Sequence, residues 1–411
     1  MANRTLTFVL VLLAVLVLPG LSGAEEEPEK PKVTFHPRVQ ERARFEVLQG
    51  PFDGDPVNGW QIGNRARLGL EARFGKAVSA YVEIQDVRTW GSEYKADTLS
   101  EGTLFDWVAN GLDMHQAYGQ VNFSGMHLRV GRQEIAWHGQ RLIGSVLWAH
   151  QGRSFDAIRF FAERDTVGYE AFYAVLLDRP VGGDTTHTIG DDSHLFALRA
   201  GPRAGDALKL DGLFIGNMDQ GANTFLATFG AHAQGKAGAF AWEAEGYGQV
   251  GREPGATYGA YMFGLRGGGN LGGGHYIGGG FDLLSGANDD ASVRAFNTLY
   301  ATNHKFYGHF DAYLAIPKHA PEGLINPQLN TRFSLHERVK LRVDVHVFAS
   351  ADNPEGGEAF HGVEFDTNIG IKPIKPLTLS TGIWVYVPGA HWGEDLTPSL
   401  GAYFATDFQF K

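Results

Sequence analysis

The sequence predicts an all-β fold: a transmembrane antiparallel β-barrel of eighteen strands, with short periplasmic turns and long extracellular loops. Three observations predict it. Apolar and polar side chains alternate with a period of two in segment after segment. After the first 18 residues, no apolar run is long enough for a membrane helix. The composition also disfavours helices.

The composition suits strands joined by turns. The 411 residues include 55 glycines, 12% aromatic residues and no cysteine. Glycine weakens helices, whereas aromatic side chains favour strands. Without cysteine there is no disulfide framework and no thiolate metal site, so other forces must stabilise the chain.

The N-terminus resembles an export signal. Arg4 precedes a 13-residue apolar core, Leu6 to Leu18, and Ser22-Gly23-Ala24 forms a small-residue cleavage site. The core is too short for a spanning helix, although an uncleaved anchor is the alternative. We expect a signal peptide over residues 1–24, cleaved after Ala24. A short acidic periplasmic segment then covers 25–32, and a single barrel covers 33–411.

Alternation is clear near both ends of the barrel. Between Val33 and Val47 one face is apolar and the other polar, and the pattern recurs over 61–74, 339–347 and 363–371. A soluble sandwich also alternates, because its strands bury one face. Here the segments are 10 to 12 residues long, as in tilted strands that cross a bilayer. The last strand ends in Phe410, as outer-membrane barrels commonly do, although Lys411 follows it.

Connection lengths fix the strand count. Short turns are expected at Gly75, Ser124-Gly125, Gly235-Lys236, 336–338 and 372–376. Nineteen candidate segments remain, whereas bacterial barrels have even numbers. We therefore assign His304 to Ile316 to a long surface loop that could fold into the pore. Eighteen strands enclose a water-filled lumen.

Arginine dominates the polar face of the N-terminal third. Without Arg4 the chain has 34 basic and 46 acidic residues, a net charge of −12, but residues 33–164 contain 15 of each sign and 13 of those cations are arginine. Guanidinium groups grip carboxylates with two parallel hydrogen bonds. The arginines expected to point into the lumen are Arg38, Arg42, Arg44, Arg65, Arg67, Arg73, Arg129, Arg159 and Arg342. Ordinary porins also line their lumens with charge, and alternation alone does not separate the two cases.

The stretch from Val130 to Ala157 connects two strands and is expected to line or narrow the channel. Arg132, Arg141 and Arg153 would then lie at a constriction, although strict alternation puts Arg132 on the apolar side. Trp137 and Trp148 would offer flat faces to sugar rings, or else belong to the interfacial aromatic girdle.

Several stretches in this order resemble the alginate-export family of outer-membrane porins. They are "RARLGLEARFG", "YVEIQDVRTWG", "LDMHQAYGQV", "LRVGRQE", "QRLIG", "GRSFDAIR", "HKFYGHFD" and "FDTNIGIKPIKPLTLSTG". The resemblance implies an eighteen-stranded barrel that passes secreted polysaccharide through an arginine-rich lumen. The matching positions are Arg65, Arg67, Arg88, Arg129, Arg132, Arg141 and Arg153.

The resemblance leaves the polymer open. The C-terminal wall is acidic, with Glu243, Glu245, Glu364 and Asp366, so a neutral or weakly charged exopolysaccharide would suit it as well as a polyuronate. The expected partners are the secreted polysaccharide, outer-membrane lipid and periplasmic export or synthesis components, with no nucleic acid. The alternatives are a general or anion-preferring diffusion porin for small solutes and a structural barrel that recruits a periplasmic partner.

Other signals carry little weight. Gly267, Gly269 and Gly272 match a dinucleotide-binding pattern, but no helix is expected after them, which favours a turn. His187, His194, Asp191 and Asp192 lack a further fixed ligand, so no metal site is expected. No nucleophile–base signature is present, so we expect no enzyme and no cofactor.

Overall fold

A computed structural model describes residues 32–52, 55–90, 111–177, 192–289, 292–352, 357–393 and 396–410. The expected signal peptide and nearly all of the acidic segment after it lie outside these residues, as do His187 and Asp191. Thr34–Lys411 form one compact unit. No helix among the described residues is long and apolar enough to cross a membrane.

The described strands form one sheet that closes on itself. Eighteen are long and two, β14 and β15, have two residues each. The last strand pairs antiparallel with the first, with Ala43 opposite Thr406, so the sheet is a closed barrel. The strands are β1 Val33–Phe52, β2 Asp55–Phe74, β3 Val78–Thr89, β4 Gly111–Phe123, β5 Met126–Gln133, β6 Phe155–Glu163, β7 Val167–Leu177, β8 Ser193–Ala204, β9 Leu208–Asp219, β10 Thr224–Ala237, β11 Phe240–Glu253, β12 Ala256–Gly272, β13 His275–Leu284, β14 Asn288–Asp289, β15 Ser292–Val293, β16 Leu324–His336, β17 Val339–Ala349, β18 Phe360–Ile374, β19 Leu377–Pro388 and β20 Ser399–Phe410.

Burial is inverted relative to a soluble protein. In β1, Arg44 is 1% and Glu46 2% exposed, whereas Phe45 between them is 40% exposed. In β3 the exposed and buried positions also alternate, and Glu83 and Gln85 are on the buried side. Apolar side chains that face outward suit lipid and not water, which excludes the sandwich and confirms the membrane barrel.

One end of the barrel carries short turns of two or three residues. They lie at 75–77, 124–125, 164–166, 205–207, 238–239, 273–274, 337–338 and 375–376. The start of β1 and the end of β20 lie at this same end, since both strands neighbour these turns in the sheet. In outer-membrane barrels the short turns face the periplasm, so the longer loops are extracellular.

Four turn predictions need correction. His336 belongs to β16 and residues 372–374 belong to β18, so those two turns are confined to 337–338 and 375–376. Gly235 and Lys236 belong to β10, and the turn comes at 238–239, where Gly238 has the left-handed φ of +61° that a tight turn uses. Gly267, Gly269 and Gly272 belong to β12 and not to a turn; the chain reverses at 273–274. No helix follows these glycines, so the dinucleotide pattern is coincidental.

Two long connections fold into the barrel. The β5–β6 loop covers residues 134–154 and the β15–β16 loop covers residues 294–323. The predicted loop assignment of His304 to Ile316 is confirmed, since only a short 3-10 turn at Asn303–Lys305 interrupts it. Side chains of both loops form much of the buried apolar cluster, including Ile135, Ile143, Phe296 and Tyr313.

Candidate functional site

The candidate site is the lumen, which the two loops fill. They pair like short parallel strands: Ile143 and Tyr300 form a bridge, and Gly144 N–H donates to the Tyr300 carbonyl at 2.8 Å. Thr302 N–H donates to the Gln140 carbonyl at 3.0 Å. The loops therefore form one plug within the barrel.

Arg153 ties this seam from inside the β5–β6 loop. Its Nη1 donates to the carbonyls of Gly144, Tyr300 and Ala301. Burial lowers the pKa of Arg153, and the partly buried Tyr300 ring lies 5.7 Å away. Arg153, which the sequence placed at a constriction, thus joins the β5–β6 loop to the β15–β16 loop.

Four arginines of β1 and β2 hold the β5–β6 loop by its backbone. Arg42 donates to the carbonyls of Leu147 at 2.8 Å and Ala149 at 3.0 Å. Arg65 donates to the His150 carbonyl at 3.0 Å, and Arg67 to that of Gln151 at 3.0 Å. Arg44 donates to the Trp148 carbonyl at 2.6 Å. All four side chains are buried.

Two arginines of this basic wall also have carboxylate neighbours. Arg44 pairs with Glu46 at 2.9 Å, and Arg67 lies 3.5 Å from Glu134. The other acceptors named above are carbonyl oxygens, which carry partial charges. Burial lowers the pKa of His150 in the loop, and the positive charges of the nearby Arg44, Arg42 and Arg65 lower it further. Four buried guanidiniums therefore lie around one loop segment, residues 147–151, in this part of the lumen.

The other inward arginines line the wall nearer the periplasmic end. Arg38 and Arg73 pair with Glu71 at 3.6 and 2.9 Å. Arg159 pairs with Glu170 at 2.6 Å. Arg129 donates to Gln120 and lies 4.1 Å over the Tyr118 ring. On the opposite wall Arg342 pairs with Asp344. Strand parity thus places all nine of these arginines on the lumen side of the wall, and their role as a substrate path stays a prediction.

Arg88 and Arg132 lie off the predicted path. Arg132 shares a strand face with the exposed Val130 and pairs through both guanidinium nitrogens with Asp156, at 2.8 and 2.9 Å. Arg88 lies on the opposite strand face from the buried Val87 and pairs with Asp86 at 2.6 Å. Alternation places both on the outside of the barrel, so neither supports the prediction of a substrate-path residue.

Arg141 is the centre of a buried charge network. Its side chain is fully buried and bonds to Glu245 at 2.7 Å, Asp282 at 2.8 Å and the Tyr307 hydroxyl at 2.8 Å. Burial acts to lower the pKa of Arg141, but Asp282 and Glu245 outweigh it and hold the pKa above its usual value. Arg266 pairs with the same two carboxylates, at 3.0 Å and 2.5 Å. Arg141 therefore locks the plug to β11 and β13.

An acidic patch on β18 holds the second loop. Glu364 accepts the Phe310 N–H at 2.7 Å, and Asp366 accepts the His309 N–H at 3.3 Å and pairs with its ring at 3.1 Å. Asn326 of β16 donates to the Phe306 carbonyl at 3.1 Å. The sequence marked this wall as acidic but gave no sign that it grips a loop.

The two tryptophans lie inside the barrel and not in the girdle. Trp137 is 3% exposed and packs edge-on against Phe172, so it offers no free face to a sugar. Trp148 is partly exposed; His304 stacks on it at 4.5 Å, and the Arg44 guanidinium lies 4.2 Å from its ring centre. Both faces of Trp148 therefore have contacts within the plug region.

The described residues line two cavities on the periplasmic side of the plug, among others. The larger, about 460 Å³, is lined by Lys209, Lys236, Lys305, Arg266, Arg332 and Arg342 among others, with Asp206 and Glu243 as its acids. The smaller, about 290 Å³, lies against Arg38, Arg42, Arg65 and Arg67, with Glu83, Glu134 and Asp407 as its acids. Cations outnumber carboxylates in the larger cavity.

Comparison with protein families decides the identity of the barrel. The model described as "Alginate export" matches residues 39–356, more than three quarters of the chain. The chain belongs to the alginate export family. An outer-membrane barrel of eighteen strands in this family fits a polysaccharide-export channel, and the family points to a channel rather than an enzyme. A sequence comparison with curated proteins returns no match.

Solved outer-membrane porins share this fold. OccAB4 of Acinetobacter baumannii is 11% identical with a TM-score of 0.63, covering 93% of this chain and all of that one. OpdL of Pseudomonas aeruginosa is 11% identical with a TM-score of 0.62, covering 92% and 98%. OpdK of the same organism, solved with vanillate, is 9% identical with a TM-score of 0.58, covering 91% and 98%. At such identities the likeness shows the fold alone.

Proposed function

We propose that this alginate-export family member conducts an exopolysaccharide bearing carboxylate groups from the periplasm to the cell surface. The observation that carries the proposal is the wall formed by Arg42, Arg44, Arg65 and Arg67, which grips a loop through carbonyl oxygens. A guanidinium can hold a carboxylate through two parallel hydrogen bonds and a full opposite charge, whereas a carbonyl oxygen offers only a partial charge. Acid groups of the polymer therefore compete well for these arginines.

Conduction then requires the plug to move. A polymer strand cannot pass while the β5–β6 and β15–β16 loops are paired across the lumen at Ile143 and Tyr300. As carboxylates replace the carbonyls of residues 147–151, the β5–β6 loop loses its hold on β1 and β2. The paired carboxylates Glu46 and Glu71 keep any one arginine from binding too tightly, which a conducting path needs.

The periplasmic cavities would receive the polymer first. The cavity of about 460 Å³ has room for a few sugar rings, and its cations attract acid groups. We infer that the mature chain begins after Ala24 and lies in the outer membrane of a Gram-negative bacterium. The driving force would come from synthesis and from periplasmic export components, which we propose as partners.

Deletion of the gene tests export. The surface polysaccharide should disappear while its precursor is still made, and plasmid-borne wild type should restore it. The Arg65→Ala, Arg67→Ala, Arg129→Ala triple variant should restore little, while a control triple, Arg88→Ala, Arg132→Ala, Arg164→Ala, should restore nearly all. Normal surface polymer in the deletion strain would refute export. Full rescue by the first triple would instead indicate a structural barrel that recruits a partner.

Planar bilayers test the diffusion-porin alternative. A porin should give steady conductance and let small sugars swell liposomes. An exporter should stay mostly closed in the absence of polymer. When a polyuronate is added on the periplasmic side, the channel should first open, and the current should then fall as the polymer blocks the lumen. Sugar analysis of the surface polymer in wild-type and deletion strains would identify the natural substrate.

A further inference from the structure

Three potential metal ligands meet at the extracellular end of the barrel. Glu322 closes the β15–β16 loop, His361 is the second residue of β18, and His391 lies in the loop between β19 and β20. One nitrogen or carboxylate oxygen from each lies within 4.8 Å of the others. The three segments are far apart in sequence, so only the closed barrel brings them together.

We propose that Glu322, His361 and His391 form a binding site for Zn²⁺. Two imidazoles and one carboxylate are a common zinc set, which leaves a fourth position for water. Imidazole also suits Ni²⁺ and Cu²⁺, whereas Ca²⁺ and Mg²⁺ prefer oxygen ligands. Glu322 and His391 are partly exposed, so an ion reaches the site from outside the cell.

The two imidazole rings lie 4.0 Å apart, and hydrogen bonds hold each of them. Nδ1 of His391 lies 3.0 Å from the Glu358 carbonyl, so it carries the proton and Nε2 is left to bind. His361 is buried, with Nδ1 2.8 Å from the Tyr313 hydroxyl and Nε2 2.8 Å from Ser350 Oγ. Nδ1–H donates to Tyr313, and binding through Nε2 requires the Ser350 side chain to rotate about χ1 so that Oγ leaves this nitrogen.

Charge distinguishes this site from two similar groups. In the group Glu83, His115 and Glu134, the last carboxylate lies 3.5 Å from Arg67. In the group of His232 with Glu243 and Glu245, Glu245 is held by Arg141 and Arg266. Those guanidiniums neutralise the carboxylates and repel a cation. Among the described residues, Glu322 forms no salt bridge.

A bound ion would fasten the plug. Glu322 ends the β15–β16 loop, and His361 bonds to Tyr313 within that loop. Zn²⁺ would therefore link the loop to β18 and to the β19–β20 connection. The extracellular metal concentration would then act on the position of the plug.

Isothermal titration of the full-length barrel in detergent, purified without a histidine tag and stripped with EDTA, tests the site. ZnCl₂ should bind with one tight site per chain and raise the melting temperature, while CaCl₂ and MgCl₂ should do neither. His391→Ala and the isosteric Glu322→Gln should each weaken Zn²⁺ binding at least about 100-fold, and Tyr313→Phe about 10-fold. His336→Ala, at an exposed histidine of the periplasmic end, should bind as wild type.

Two results would overturn the proposal. One is a wild-type chain that binds no Zn²⁺ or binds it only as weakly as His391→Ala. The other is tight binding that survives both His391→Ala and Glu322→Gln. Because Glu322→Gln keeps the shape of a partly exposed side chain, a folding defect in the histidine variant does not weaken the test.

Discussion

The Arg44 guanidinium donates to the Trp148 carbonyl at 2.6 Å while its carbon lies 4.2 Å from the centre of the same residue's indole ring. One wall arginine thus holds both the backbone and the side chain of one loop residue. Glu46, 2.9 Å away on the same strand, orients the guanidinium. In the closed barrel the basic wall therefore holds the β5–β6 loop in place, and it can contact a substrate only when that loop moves.

Arg44→Lys should loosen this clamp without removing its charge. An ammonium can still pair with Glu46, but it lacks the planar fork that reaches the carbonyl and stacks on indole. The closed state should lose about 1.5 kcal/mol of stability relative to the open state, which corresponds to about a tenfold rise in the open fraction. Single-channel open time measures this fraction. Arg73→Lys, at an exposed periplasmic pair with Glu71, is the control and should not change open time.

Acid should also release the β5–β6 loop. Burial lowers the pKa of His150, and the adjacent Arg44, Arg42 and Arg65 lower it further. Burial also lowers the pKa of His138. At His138 the nearby His232 lowers the pKa further, whereas the hydrogen bond to Asp211 raises it. In a released loop both pKa values return to about 6.5. The closed state therefore keeps its full stability above pH 6.5 and loses it as pH falls below that value.

The pH effect is measurable as conductance. Each histidine should shift the closed–open equilibrium by up to about tenfold per pH unit below 6.5. His138→Gln combined with His150→Gln should flatten conductance between pH 7.5 and 5. A double variant with the wild-type pH profile would show that these imidazoles do not control the loop.

Local patterns in the sequence predicted the wall better than the plug. Period-two alternation gave β1, β2, β17, β18 and β20 and the inward direction of Arg42 and Arg65, because strand faces follow from chain parity alone. It could not pair Arg141 with Asp282, 141 residues away, since that contact depends on which strands a folded loop meets. For the same reason the grip of Glu364 on Phe310 N–H had no local signal.

Gly308→Ala should dislodge the β15–β16 loop. Gly308 has φ of +85°, and a Cβ there would lie 2.3 Å from the buried Glu364 carboxylate, which cannot move away without losing its bond to Phe310. Gly255→Ala is a matched control, because it has the same φ and open space around its Cβ. Gly255→Ala should lower the folding stability by about 1–2 kcal/mol, because it adds backbone strain and no steric clash.

Limited proteolysis separates these two glycine variants. Only Gly308→Ala should expose the β15–β16 loop to cleavage, mapped by mass spectrometry, while both barrels stay folded. Equal protection in the two variants would mean that the contact between Gly308 and Glu364 does not hold the loop.

Arg141→Met should unfasten the plug from β11 and β13. Removal of one partner from a buried ion pair costs about 3–5 kcal/mol, because the remaining charges are left without compensation. Arg266 still pairs with Glu245 and Asp282, so we expect the lower end of that range. Arg132→Met breaks the partly exposed pairs with Asp156 and Asp113 and should cost less than about 1 kcal/mol. Adding Glu245→Gln to Arg141→Met should recover part of the loss, since Arg266 alone then faces one carboxylate, Asp282, and no excess negative charge is buried. The measurement is protease protection of the β5–β6 loop as denaturant rises, and additive losses in the double variant would contradict a direct coupling of these two side chains.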